Sequence, residues 1–371
     1  MNDELQALRA ALDALDGELA ALFARRMALA QQVGLCKKRA GLPVLDAARE
    51  AQVLATRAAL VTEPAWQADA RAFFAELMRL SRLEQQRVLA RTGEDARVAY
   101  QGLPGAYGHA AALACCGDGT ATLPCTRFED VFRAVADGQA AWGVLPLENS
   151  SAGSIADVYD LLGRYGCYIV GEVRVPVAHC LLGVPGAALA DIREVRSHEQ
   201  GFLQCREFLA RHPDWRQSPC LNTAVAAQAV AQAGDPAVVA IAGRLAAAHY
   251  GLDVLAADIQ TFAGNSTRFI RVAAHPDPDA HGDKATITFT LRHERGSLHR
   301  ALAAFVALGM NLTRIESRPM PGQSWEYRFY VDAEGPMDER KLDVLMAALQ
   351  EDCLDCRLLG RYPAAGGARH A

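Results

Sequence analysis

The chain has 371 residues, 51% hydrophobic and 22% charged, and its 38 Lys and Arg against 43 Asp and Glu leave a net charge of -5. This composition excludes disordered and fibrous classes and gives no electrostatic footprint for nucleic acid, while the length suits two or three domains. Asp3 and Glu4 stand where a secretory signal needs basic residues, and no stretch is long and apolar enough to span a bilayer.

Ten cysteines are scattered, most of them singly in apolar segments, the pattern of reduced thiols, so a cytoplasmic location is expected. Cys353 and Cys356 form a lone CxxC with no second pair or histidine cluster, so no metal is expected.

Residues 1–91 read as helical, with Pro only at Pro43 and Pro64. Leu5, Leu8, Leu12, Leu15, Leu19 and Leu22 alternate spacings of three and four, a heptad seam that wants a partner helix. The same register continues through position 26 to Leu29, Val33 and Cys36, and position 26 is Arg26. A guanidinium on a seam calls for an anion. Lys37 follows on the same face. After the Gly41-Leu42-Pro43 turn, Asp46 is placed to cap a second helix, with Arg49 and Glu50 three and four residues on. On a third helix, Ser81 and Gln85 interrupt the row Phe74, Leu77, Val88. Polar groups aimed inward from three helices suggest a bundle-core site for a small polyanion.

From LQALRAALDALDGELAALFARRMALAQQVGLCKKRAGLPVLDAAREAQVL on to SRLEQQ, the segment resembles the chorismate mutase domain of bacterial bifunctional P-proteins. The resemblance implies an all-α three-helix domain in an intertwined dimer. In it, Arg9 would reach into the partner's site and hold the chorismate carboxylates with Arg26. Lys37 and Gln85 would bond the ether oxygen, Asp46, Glu50 and Ser81 would orient the substrate, and Arg49 would line the site. A Claisen rearrangement needs no nucleophile and no proton transfer. It needs a compact substrate conformer and donors at the oxygen where charge grows, so no cofactor is expected.

Beyond a linker near residues 91–97, short β-rich runs alternate with helices, which predicts an α/β region with parallel strands. Gly102, Gly105 and Gly108 follow the first strand, but their spacing is not the dinucleotide fingerprint. Near the end of this region stands Asn265-Ser266-Thr267-Arg268. It is a glycosylation sequon or, in a reduced cytosolic chain, a set of hydroxyl and guanidinium groups presented to an anion.

VLPLENSSAGSIADVYDLL, SHEQGFLQC, LNTAVAA and NSTRF together resemble prephenate dehydratase over residues 97–275. The implied fold is two α/β lobes like a solute-binding protein, with the site in the cleft. By resemblance Thr267 is the principal catalytic residue and Arg268 neutralises a substrate carboxylate, while Glu148, Asn149, Ser150, Ser197, Gln204 and Thr223 line the prephenate pocket. The chain departs from the family at Ala106 and Gly108, where hydroxyl residues are common, and at Asn222, where an acidic or hydroxyl residue is common.

A second linker, AAHPDPDAHGD, precedes a βαββαβ pattern. Residues 284–362 resemble an ACT domain of the phenylalanine-binding kind, through Gly296-Ser297-Leu298 at a helix start, Asn311-Leu312, and Glu316-Ser317-Arg318 before Pro319. Free N–H groups at that helix start suit a carboxylate, and Ser297 is placed to cap it. The whole therefore reads as a multidomain chain, 1–91, 97–275 and 284–362. The expected function converts chorismate to prephenate and prephenate to phenylpyruvate under phenylalanine inhibition, in a homodimer or higher homo-oligomer. A non-catalytic aromatic-metabolite sensor would need neither Thr267 nor Gln85.

Overall fold

A computed structural model describes residues 2–40, 42–91, 97–277, 281–320 and 326–365 of the chain. It divides into two compact units, Met1–Ala96 and Arg97–Ala371.

The first unit is three helices: α1 (Asn2–Arg39), α2 (Ala47–Ala58) and α3 (Gln67–Arg91). Asp46 starts α2, its carboxylate accepting from the Arg49 N–H at 2.9 Å, as the sequence leads one to expect. Pro64 opens the turn into α3, where its missing N–H costs nothing. α1 is about 57 Å long at 1.5 Å per residue. Its leucine seam, Leu5 to Leu22, is roughly half exposed in the single chain.

The second unit begins with β1 (Val98–Gln101), α4 (Tyr107–Cys116), β2 (Thr122–Cys125), α5 (Phe128–Ala136), β3 (Trp142–Asn149), β4 (Gly153–Ser154), α6 (Ala156–Tyr165) and β5 (Tyr168–Pro176). A second lobe follows: β6 (His179–Gly183), β7 (Glu194–Ser197), α7 (Glu199–Gln204), α8 (Arg206–Leu209), β8 (Arg216–Pro219), α9 (Thr223–Ala233), β9 (Val238–Gly243), α10 (Arg244–Tyr250) and β10 (Asp253–Ala256), in sheet order β10-β6-β9-β7-β8. The chain then returns as β11 (Ser266–Ala273) and inserts between β3 and β5, giving the first sheet the order β2-β1-β3-β11-β5 with β4 on β3.

Parallel pairing holds for β1 with β2 and β3, and for β7 with β8 and β9. It fails for β6, antiparallel to β9 and β10, and for β11, which runs antiparallel to both neighbours because it re-enters the sheet from the second lobe.

The remaining elements are β12 (Lys284–Leu291), α11 (Ser297–Ala307), β13 (Asn311–Pro319), β14 (Tyr327–Glu334), α12 (Glu339–Asp352) and β15 (Cys353–Tyr362), an antiparallel sheet ordered β13-β14-β12-β15 with its own core around Phe289, Phe305 and Leu345. Tyr330, Leu359 and Tyr362 of this sheet also enter the core of the first lobe, beside Tyr159 and Ile169. Gly360 marks how close the contact is: a Cβ there would sit 1.9 Å from the Ile169 carbonyl oxygen. Gly360→Ala is therefore expected to destabilise the second unit by about 1–3 kcal/mol through overpacking, read as a lower urea midpoint with an unchanged slope.

Candidate active site

In the first unit α1 and α3 meet closely, a Cβ on Gly34 standing 3.1 Å from Gln85. This contact brings Arg26, Ser81 and Gln85 together. The Arg26 guanidinium donates to the Ser81 hydroxyl and to the Leu77 carbonyl at 3.0 Å. Among the described residues no carboxylate pairs with Arg26, and burial draws its pKa below the ordinary arginine value. Gln85 donates to the Ser81 carbonyl at 3.3 Å, and its buried Oε1 has no partner among the described residues.

Lys37 donates to the Val44 carbonyl at 2.6 Å, at the turn out of α1. Glu50 of α2 pairs with Arg82 of α3. Arg49 donates to Gln52 at 2.8 Å on the exposed side of α2. Arg9 lies 17 residues before Arg26 on the same helix, about 26 Å away, so it does not join this cluster within one chain.

The second site forms where β11 re-enters beside β3, and two runs of similar composition interlock there: Asn149-Ser150-Ser151 and Asn265-Ser266-Thr267. Asn149 Nδ2 donates to Thr267 Oγ1 at 2.9 Å and to Asn265 Oδ1 at 3.0 Å. Its Oδ1 accepts from the Ser151 and Ala152 N–H groups, both at 3.0 Å, which fixes the amide orientation. Thr267 Oγ1 is therefore an acceptor toward Asn149, and its own proton is free to be donated elsewhere. Ser150 donates to Asn265 Oδ1 at 3.1 Å and accepts from the Ser266 N–H at 3.0 Å. Neither Ser150 nor Ser154 caps a helix.

The loop that delivers Asn265 is tied to the second lobe. Thr261 N–H donates to the Gln204 carbonyl at 2.7 Å, and the Val177 N–H to the Asn265 carbonyl at 2.8 Å. The Gln204 side chain meets His179 Nε2 at 2.7 Å, while Tyr107 of the first lobe meets His179 Nδ1 at 3.2 Å. Burial pulls the His179 pKa down, partly offset by Gln204, so the ring is a satisfied core histidine at the join between lobes.

Several expected site residues stand elsewhere. Arg268 does not share a face with Thr267, because neighbours on a strand point opposite ways. Its guanidinium is 2.6 Å from Glu172 and 2.5 Å from Asp332, on the side covered by the C-terminal sheet. Glu148, paired in register with Arg268, lies on that side too and pairs with Arg314. Arg268, expected to meet a substrate carboxylate, is engaged here by carboxylates of the chain itself. Ser197 is fully buried and donates to the Ile241 carbonyl at 2.9 Å. Thr223 opens α9 behind Asn222, which caps it at 2.8 Å from the Val225 N–H.

Two of the departures have local reasons, and the structure gives none for Ala106. Asn222 does the capping that an acidic or hydroxyl residue would do. At Gly108 any Cβ would fall 2.5 Å from the Gln101 carbonyl, so a hydroxyl residue has no room.

In the C-terminal sheet, Gly296 rather than Ser297 is the cap of α11, with a left-handed φ of 81°, and Ser297 is buried as the first helical residue. Leu298 is partly exposed. Asn311 and Leu312 begin β13, which follows the C-terminal end of α11, a helix about 16 Å long that starts at Gly296. Glu316 accepts from Ser154 at 2.6 Å, and Arg318 pairs with Asp160 at 2.8 Å, with Ser317 between them on the edge strand. Cys353 and Cys356 sit against the core, where burial raises their thiols to about 11 and about 12, which keeps them protonated.

Asn265 and Tyr107 were not expected in the site. The repeated amide-hydroxyl-hydroxyl run was the available signal for the first, and nothing local pointed to the second.

Family models agree with this layout. One described as chorismate mutase type II matches residues 8–86, and one described as prephenate dehydratase matches residues 98–277. The bifunctional chorismate mutase/prephenate dehydratase of Escherichia coli (strain K12) is 35% identical, over 97% of this chain and 96% of its own. Among solved structures, a prephenate dehydratase in complex with L-Phe from Arthrobacter aurescens has 31% identity and a TM-score of 0.66, over 73% of this chain and 90% of its own. GqqA, described as a novel type of quorum quenching acylase, has 35% identity and a TM-score of 0.66, over 73% of this chain and 98% of its own. The chain is an enzyme with a helical chorismate mutase domain ahead of an α/β prephenate dehydratase domain. It belongs to the bifunctional chorismate mutase/prephenate dehydratase family.

The amide at 149 sets the direction of the Thr267 hydroxyl. Asn149→Ala is expected to lower dehydratase kcat about 10²-fold, the usual scale for one misdirected donor. Asn149→Asp should fall further, because a carboxylate would accept the Thr267 proton. Steady-state rates of the two variants, with mutase activity as internal control, check that order.

Proposed function

We propose that Arg26, Lys37, Ser81 and Gln85 carry the rearrangement of chorismate, that Thr267 carries the dehydration of prephenate, and that phenylalanine inhibits through an ACT domain at residues 284–362. The observation that supports the dehydratase assignment best is the Asn149 amide, which leaves Thr267 a donor. In that reaction the bond from the ring to its carboxylate breaks and releases carbon dioxide. The electron pair enters the ring, the C–O bond at the ring hydroxyl breaks, and the leaving oxygen takes a proton through Thr267, replaced from solvent. Aromatisation supplies the driving force, so the protein has to orient the dianion and assist the leaving group.

In the mutase domain, among the described residues, Arg26 lacks a carboxylate and Gln85 has an unpartnered oxygen, a combination suited to an anionic, hydrogen-bonding ligand. Asp46, Arg49 and Glu50 border it from α2. Arg9 is too far along α1 to act in its own chain, and the exposed leucine seam is the face on which a second α1 would pack. The reading is therefore an intertwined homodimer in which each Arg9 serves the other subunit's site. The same logic extends to the effector: Gly296, Ser297 and Leu298 lie apart from Asn311 and Leu312, and β13 is an outer strand, so two copies would assemble one phenylalanine site with Glu316, Ser317 and Arg318. Neither cofactor, metal, nucleic acid nor membrane enters this scheme, and the unpaired cysteines suit a cytoplasmic enzyme.

Two experiments test it. Thr267→Ala should abolish phenylpyruvate formation and leave mutase turnover intact, and Gln85→Ala should do the reverse; one substitution removing both activities from folded protein would overturn the assignment. Mixed refolding of Arg9→Ala with Arg26→Ala should regain mutase activity that neither variant has alone, because one site of the heterodimer is then complete. Absence of regain in a dimeric sample would mean that Arg9 acts within its own chain or not at all.

A further inference from the structure

The face of β11 opposite Thr267 holds a set of buried charges that the dehydration scheme does not use. Arg268 Nε donates to Glu172 at 2.6 Å, its Nη1 to Asp332 at 2.5 Å, and its Nη2 to the Tyr362 hydroxyl at 3.3 Å. Lys284 meets Glu172 at 3.2 Å, and Asp332 also accepts from Thr286 at 2.6 Å. The side chains of Arg268, Lys284, Glu172 and Asp332 are at most 7% exposed, two cations against two carboxylates. Burial alone would lower the Arg268 pKa, but Asp332, Tyr362 and Glu172 hold it above the ordinary arginine value.

The elements involved are as informative as the distances. Arg268 belongs to β11 and Glu172 to β5, whereas Asp332, Lys284, Thr286 and Tyr362 belong to the C-terminal sheet. One strand over, Glu148 of β3 is held by Arg314 of β13, whose guanidinium also lies over the Tyr159 ring. Each of the two side chains that meet in the site, Asn149 and Thr267, is thus next in sequence to a residue gripped from behind by the C-terminal sheet. The ladder between β11 and β3 is interrupted at that place, its register shifting between Arg268 and Phe269. The bulge interrupts pairing on the β3 side alone, the side from which Asn149 meets Thr267, while the ladder to β5 runs unbroken from Ser266 to Arg271.

We propose that Asp332 is a positioning residue for the dehydration: through Arg268 it fixes the position of β11, and so the aim of the Thr267 hydroxyl at the leaving group. A strand shift of about 1 Å is enough to lose much of the rate when catalysis rests on orientation. This inference rests on the reading of Thr267 given above.

The test uses the full-length chain. Asp332→Asn should lower dehydratase kcat at least tenfold with KM changed less than about threefold, and Asp332→Glu, which keeps the charge, should recover part of the loss. Arg268→Lys, which retains the cation but cannot span two carboxylates, should likewise lose kcat and keep KM. Because Asp332 acts through Thr267, adding Asp332→Asn to Asn149→Ala should cost much less than the product of the separate losses. An unchanged kcat in both Asp332→Asn and Arg268→Lys, or kcat and KM failing together with a fallen melting temperature, overturns the inference. Thr267→Ala separates the two levels: if it is inactive while Asp332→Asn works normally, only this inference fails, and if it is active, the reading of Thr267 fails first.

Discussion

Everything in the site proposed for the dehydration depends on the two-residue period of one strand. β11 enters the first sheet last in the domain, between β3 and β5, and its alternation sends consecutive side chains to opposite sides. Thr267 meets Asn149 on one side, and Arg268 meets Glu172 and Asp332 on the other. A hydroxyl with a pKa far too high to act as an acid in water becomes useful only when its proton is aimed. Here an amide whose own orientation is locked by two backbone N–H groups does the aiming.

The mutase domain shows the complementary economy. Its reaction asks for shape and donors, not for a proton shuttle, and the helices supply a half-buried guanidinium with no carboxylate partner among the described residues. Pairing Arg26 with an internal acid would have made the empty bundle more stable and the anion site useless. Leaving Arg26 on hydroxyl, carbonyl and sulfur partners keeps its charge available. The exposed leucine seam and the distant Arg9 agree with the proposed dimer, in which a second chain would complete the site.

How much of this could be read from the sequence depended on range. The leucine register, the Asp46 cap and the amide-hydroxyl run are local patterns, and periodicity or side-chain chemistry is enough to find them. Arg268 is instructive because the strand period was also local, yet adjacency in NSTR suggested a shared face that a strand forbids. Its partners were beyond reach: Asp332 is 64 residues away and Glu172 is 96 residues away, and no spacing announces such a contact. Gly108 lay between these cases. Its absent side chain looked like a lost ligand until the Gln101 carbonyl was seen to occupy the space.

The same geometry constrains how an effector could act. A ligand changes activity only if it binds one arrangement of the chain better than another. In the arrangement described, Glu316 accepts from Ser154 and Arg318 holds Asp160, so the groups proposed for phenylalanine are already engaged with the dehydratase domain. A ligand that recruits them must loosen these contacts, and β13, which carries both, also carries Arg314 on Glu148. Glu148 precedes Asn149. β13 therefore joins the edge of the C-terminal sheet to β3 by direct side-chain contact, one residue before Asn149.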